Sequence, residues 1–112
     1  MIIIVDYGMG NIASIQNMLR RIGEDSILTD NPQEILNASK LILPGVGHFA
    51  KAMLNLKEKG FIEVLNKKVL EDKVPILGIC LGLQLLGGYS EEGDVEGLGW
   101  IKATTKKFQL DQ

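Results

Sequence analysis

Four short apolar runs, separated by segments of helical period, constrain what this chain can fold into more than any other feature of it. The first, Ile2–Val5, is continuous and β-branched, the pattern of a parallel strand covered on both faces. The period then changes. Ile12, Ile15, Met18, Leu19 and Ile22 recur at helical spacing behind Asn11, a good N-cap residue, and Gly23 supplies the stop. Ser26–Thr29 reads as a second strand, and Asn31-Pro32 with Glu34 three positions past the cap starts a short helix. Lys40–Leu43 is a third strand, ended by Pro44. Beyond the Pro44-Gly45-Val46-Gly47 turn come Phe49, Met53 and Leu56, and after Gly60 come Phe61, Leu65 and Val69, which predicts two helices broken at that glycine. Residues 75–79 form the fourth strand. Past Glu92 the alternation lapses, and residues 98–102 and 104–108 read as short strands of an antiparallel extension.

Strands alternating with helices predict an α/β fold, a mostly parallel sheet with helices on both faces and its sites beyond the carboxyl ends of the strands. Three loops leave such ends: residues 7–10, residues 44–47 and the turn at Cys80. At 112 residues the chain is the size of one domain, 1–112, small enough to bury a modest share of its surface. The net charge is only -2, and the lysines are scattered or stand beside acids, so no basic stripe marks a nucleic-acid surface. A small-molecule substrate or a protein partner fits better. The apolar start is far too short for a membrane span and lacks the basic flank of a signal peptide. Asp6-Tyr7-Gly8-Met9-Gly10-Asn11 begins like a nucleotide-binding loop, but Ala13 breaks the G-x-G-x-x-G pattern, so no cofactor is expected. No metal is expected either.

A single cysteine excludes a disulfide framework, which leaves Cys80 as either a small core residue or a reactive thiol in a reducing compartment such as the cytoplasm. Its setting favours the thiol. Gly78-Ile79-Cys80-Leu81-Gly82 follows a buried strand and precedes the helix-compatible Leu83-Gln84-Leu85-Leu86. The spacing G-x-C-x-G is that of the G-x-S-x-G elbow of serine hydrolases, with sulfur in place of oxygen. A nucleophile at such a turn needs small neighbours, and the first turn of a helix favours the thiolate. The Leu81 amide would then face an oxyanion formed by attack. Pro44-Gly45-Val46-Gly47 ends a second strand; alone it reads as an ordinary tight turn, although its glycines would permit a peptide flip.

Taken together, these stretches resemble the class I glutamine amidotransferases, and among them the glutaminase subunits of imidazole glycerol phosphate synthases in histidine biosynthesis. Asp6-Tyr7-Gly8-Met9-Gly10-Asn11, Leu43-Pro44-Gly45-Val46-Gly47, Gly78 to Leu86, Ser90-Glu91-Glu92-Gly93 and Gly97-Leu98-Gly99 match in the family's order across nearly the whole chain. The resemblance implies a flavodoxin-like fold and a glutamyl thioester on Cys80. It implies an oxyanion hole from the N–H groups of Val46, after a peptide flip, and Leu81. Gly47, Gln84 and Glu92 match positions that hold L-glutamine. It also implies a (β/α)8 synthase subunit that docks over the site as a heterodimer and receives the ammonia, with residues 6–11 near that interface.

One departure is large. The family completes its triad with a histidine and a glutamate, spaced H-x-E, that fall past position 112, so the expectation is a domain incomplete at its C-terminus. The one histidine here, His48, reads as a surface residue at a helix start rather than as the base. Residues 1–112 alone should expose an apolar patch beside residues 98–108. Three other readings stay open. Leu98-Gly99-Trp100-Ile101 resembles paralogues that supply ammonia in surface-polysaccharide sugar biosynthesis. A non-catalytic interaction module would keep the fold without the triad, and a redox-sensing cysteine would need a low thiol pKa.

Overall fold

Because both faces of Ile2–Val5 (β1) are apolar, it takes an inner place in a four-stranded sheet. The structure, a computed structural model, describes residues 1–10, 12–45, 47–79, 82, 85–87 and 97–100, and the backbone of 89–90 and 104–105. The sheet order is β2-β1-β3-β4, with β2 at Ser26–Thr29, β3 at Lys40–Leu43 and β4 at Ile76–Gly78. All pairings are parallel, with Ile3 opposite Ile27 and Leu41, and Leu41 opposite Ile76. Every carboxyl end therefore lies on one edge. The chain leaves β1 toward β2 on one side and returns to β3 on the other, so the switch point falls between β1 and β3.

Alternation along the strands divides the apolar side chains between two cores. On one face Ile4 and Ile42 meet Ile15 of α1 (Ile12–Arg21), with Ile12 and Leu19 alongside. The expected stop is there: Gly23, at φ 81°, donates to the Arg20 carbonyl at 3.1 Å while Glu24 donates to that of Leu19 at 2.9 Å. On the other face Ile3, Val5, Leu41 and Leu43 lie under Phe49, Ala52 and Leu56 of α2 (Phe49–Glu58) and under Phe61 and Leu65 of α3 (Phe61–Asn66). Gly60, at φ 77°, makes the break between the two helices. The short helix after Asn31 is a 3-10 helix, Pro32–Asn37, whose first turn is capped by Asn31 Oδ1 accepting from the Gln33 amide at 3.0 Å. α3 runs on into a π-helical turn, Lys67–Glu71. There the buried Lys68 donates to the Leu36 carbonyl at 3.0 Å and pairs with Asp72 at 3.5 Å.

The antiparallel extension is corrected. β5, Tyr89–Ser90, and β6, Thr104–Thr105, pair in parallel, and residues 98–100 are not a strand. The reason is that the backbone there is committed elsewhere. Leu98 donates to the Leu85 carbonyl at 2.8 Å and Gly99 to that of Gly87 at 2.9 Å, so these amides are not free to form a hairpin.

Coverage of the sheet is unequal. A groove of about 330 Å3 opens on the α1 face, lined by Ile2, Leu19, Ile22, Ile42, Ile76 and Leu77 among others. Leu77, on β4 at the end of the strand order, is 58% exposed. Part of the exposed apolar surface thus lies between α1 and β4, with Ile27 and Leu28 exposed on β2 at the other edge of the sheet; the patch expected beside residues 98–108 falls largely outside the described residues. The buried core and the exposed edge of the groove should respond differently to truncation. In urea denaturation Phe61→Ala, which empties a fully buried site, should cost about 3–5 kcal/mol, whereas Leu77→Ala should stay within about 1 kcal/mol of the parent. Equal losses would contradict this description of the sheet.

Candidate active site

The loops that leave β1, β3 and β4 meet at the carboxyl edge of the sheet. The meeting is tightest at the end of β3. Ile79 donates its amide to the Leu43 carbonyl at 3.0 Å, which carries the β3–β4 pairing one residue past β4. Gly82 then donates to the Ile79 carbonyl at 2.9 Å, and both Gly82 and Leu85 have helical backbone. The described strand thus ends at Gly78, and helical backbone is found again at Gly82. The last glycine of that motif is required by space: a Cβ on Gly82 would lie 1.8 Å from the Leu43 carbonyl oxygen and 2.8 Å from its carbon. Leu85 and Leu86 are buried and fix the following residues in the core that holds Tyr7 and Phe49.

The loop after β1 packs against the turn after β3. Asp6 Oδ1 accepts from the Gly8 amide at 3.3 Å, and Gly8 and Gly10 take φ values of 89° and 123°, which glycine alone tolerates well. A Cβ on Gly10 would lie 3.0 Å from that of Pro44 and 3.3 Å from the Gly45 nitrogen. Tyr7 is fully buried, and its hydroxyl donates to the Pro44 carbonyl. Burial raises its phenol well above the ordinary value. Residue-level reading of the sequence missed this contact. The signal was present: Tyr7 continues the every-second-residue row of Ile3 and Val5 into the same core, and a buried tyrosine hydroxyl needs an acceptor.

Of the site residues expected from the sequence, Gly47 is described. It is exposed at φ 108°, and a Cβ there would lie 3.2 Å from Met9 Cε, at the contact of the two loops. Cys80, Val46, Leu81, Gln84 and Glu92 lie outside the described residues, as does the expected N-cap Asn11. Their flanking residues, Gly45 and Gly47 on one side and Ile79 and Gly82 on the other, leave adjacent strand ends. His48 is exposed and caps α2, its Nδ1 accepting from the Ala50 amide at 3.2 Å. That matches a surface histidine at a helix start.

Gly97 packs against the backbone of residues 85–87. A Cβ on it would lie 2.4 Å from the Gly87 carbonyl oxygen and 3.0 Å from the Phe49 ring, so the strand-free segment 97–99 lies flat on residues 85–87. Trp100 follows and donates from Nε1 to Asn66 Oδ1 at 2.7 Å, which ties this segment to the end of α3. Among the described residues no cluster of histidine, cysteine, aspartate or glutamate could hold a metal ion, and no helix is long and apolar enough to cross a membrane.

The description "Glutamine amidotransferase class-I" matches residues 3–110, and the chain belongs to that family. Its curated relatives narrow the comparison. It is 59% identical over 110 residues to imidazole glycerol phosphate synthase subunit HisH 2 of Methanococcus maripaludis, covering 98% of this chain and 54% of the relative. It is 47% identical over 109 residues to subunit HisH 2 of Pseudomonas aeruginosa, covering 97% of this chain and 54% of that one. It is 49% identical over 112 residues to subunit HisH 1 of Campylobacter jejuni, covering 99% and 56%. The chain thus spans about half the length of the relatives it matches. A solved structure titled "Crystal structure of glutamine amidotransferase" superposes with a TM-score of 0.81 at 20% identity, covering 94% of this chain and 55% of that one, which establishes the shared fold.

Two expected outcomes follow from the geometry. Gly82→Ala drives a Cβ into the backbone of β3 and should cost more than about 3 kcal/mol in thermal or urea unfolding. Gly23→Ala, with open space but φ 81°, should cost only about 1 kcal/mol. The second concerns Tyr7. The unfolded chain ionises this phenol near pH 10, but the folded chain holds its proton to higher pH. The unfolded state then binds fewer protons, so stability falls as pH rises above about 10 and is indifferent to Tyr7 between about pH 7 and 9. Tyr7→Phe should flatten that alkaline decline in a series of urea titrations.

Proposed function

We propose that this chain carries the nucleophile-bearing part of a glutaminase. The observation that bears most of the weight is the turn from Ile79 to Gly82, set against Leu43 and Pro44 beside the glycine-rich residues 44–47. In the proposed reaction the Cys80 thiolate attacks the side-chain amide carbon of L-glutamine. The C–S bond forms, and the carbonyl oxygen takes the negative charge and is met by the N–H groups of Val46 and Leu81. Collapse breaks the C–N bond, the leaving nitrogen takes a proton and departs as ammonia, and water then releases glutamate from the thioester. Gly47, Gln84 and Glu92 hold the substrate. No cofactor enters these steps, and the proton transfers fall to a histidine and glutamate supplied by chain beyond residue 112.

The relatives' names give the destination of the ammonia. Three are subunits of imidazole glycerol phosphate synthase, and the proposal is that this chain serves the same synthesis in histidine biosynthesis. Its partner there is a (β/α)8 synthase subunit docked over the carboxyl edge of the sheet, near residues 6–11, in a cytoplasmic heterodimer. Within the Leu98-Gly99-Trp100-Ile101 stretch behind the polysaccharide-sugar reading, Trp100 donates to Asn66 of α3, a bond that favours neither acceptor.

The test uses this chain joined to the C-terminal half of the Methanococcus maripaludis relative and paired with that organism's synthase subunit. A diazo-ketone analogue of glutamine should label Cys80, and Cys80→Ala should reduce ammonia release by about 10³-fold or more. Undiminished ammonia release from the Cys80→Ala chimera would refute the assignment.

A further inference from the structure

Tyr7 is a buried phenol to which the proposed reaction gives no part, and its hydroxyl is spent on the Pro44 carbonyl, at the root of the turn that carries the expected oxyanion-binding amide. We infer that Tyr7 is a positioning residue for that turn: by holding the Pro44 carbonyl it fixes the upstream peptide and confines any reorientation to the peptides beyond Gly45. This rests on the glutaminase reading. The reasoning begins with the peptide group. The Pro44 carbonyl and the Gly45 N–H belong to one planar unit, so a bond to the first also sets the direction of the second. Two further contacts act on the same unit. Pro44 has its own φ locked by its ring, and Gly10 stands so close that even a Cβ would reach within 3.0 Å of the proline and 3.3 Å of the Gly45 nitrogen. Pro44 and Gly45 are both buried.

The other end of the turn is built oppositely. Gly47 is exposed and sits at φ 108°, in backbone space where glycine moves at little cost. A turn that must swing an N–H toward a developing oxyanion needs such an asymmetry. With both ends soft, the amide would spend its time in many orientations; with both stiff, it could not respond. Tyr7 adds to the stiff end a hydrogen bond in a buried site, where such a bond is electrostatically stronger than in water. The hydroxyl acts through Pro44 and touches no substrate atom in this scheme.

The experiment uses the same full-length chimera with its synthase subunit and compares Tyr7→Phe, which keeps the ring and removes only the donor. Three quantities are measured: kcat and KM for ammonia release from glutamine, and the rate at which the diazo-ketone analogue labels Cys80. In that labelling the diazo carbon takes a proton from solvent and the thiolate then forms a C–S bond at the resulting methylene as N2 leaves; displacement of this kind builds no tetrahedral oxyanion, so it reports the thiolate and the binding pocket without the oxyanion turn. The expected result is a kcat lowered about tenfold with KM and the labelling rate each within about twofold of the parent. A kcat that does not change overturns the inference. So does a parallel loss of kcat and labelling, which would mean that the hydroxyl merely stabilises the domain. A parent chimera that neither releases ammonia nor takes the label overturns the glutaminase reading itself, and the role of Tyr7 with it.

Discussion

The carboxyl end of β3 is the anchor on which the arrangement of this edge depends. The Leu43 carbonyl accepts from Ile79, and the backbone of Gly82 presses against the same group. One residue further, the Pro44 carbonyl accepts from Tyr7, and Gly10 packs against the proline ring. Loops from three different strands are thereby located by two adjacent peptide groups. Buried carbonyls must be satisfied, and these are satisfied by groups that also bring the loops together. The glycines at the anchor are required for different reasons. Gly82 is required because its neighbour leaves no volume, whereas Gly10 lacks volume and also takes a φ of 123°.

The packing beneath that edge is lopsided. One core runs continuously from Ile3 and Val5 through Tyr7, Phe49 and Leu85 to Phe61 and Leu65, and it supports the residues on both sides of the Ile79–Gly82 turn. Its reach into the segment after that turn comes from the backbone as well as from side chains, since residues 98 and 99 return to bond with Leu85 and Gly87. The opposite core rests on α1 alone, with three fully committed isoleucines and a groove open toward Leu77. The larger core thus lies under α2 and α3, while Ile79 at the start of the turn packs with the smaller one.

The fold was legible in the sequence because its signals are local. The β-branched run at Ile2–Val5, the Schellman stop at Gly23, the Asn31-Pro32 cap and the break at Gly60 each act within a few residues, and each appears where its chemistry placed it. The extension after Glu92 was misread because its outcome is set at long range. Leu98 and Gly99 bond to residues far from their own hairpin neighbours, and periodicity carries no record of that competition. The same limit explains the site. The glycine pattern around position 80 announced a crowded turn, and Gly82 bears that out, but which carbonyl crowds it follows only from the strand order. Tyr7 is intermediate, since its burial follows from alternation while its acceptor does not.

The chemistry proposed for this edge divides along the same line. What the strand ends supply is backbone: a turn for the nucleophile, amides for an oxyanion and a fixed peptide at Pro44 to hold them in place. Proton transfer needs a side chain, and the one histidine in these 112 residues is committed to the α2 cap through its Nδ1. A base that serves the Ile79–Gly82 turn must therefore approach from a side not already filled. The β3 side is closed by Leu43, Pro44 and Gly10, and segment 97–99 lies over residues 85–87. Among the described residues, the side that remains is the edge of β4, where the strand order ends and Leu77 meets solvent. The chain covers about half of such a relative, and a strand that is an edge among the described residues, with an apolar groove beside it, is a surface that further strands and helices of one domain can cover. On the glutaminase reading proposed above, covering that edge and delivering the base would be one structural event.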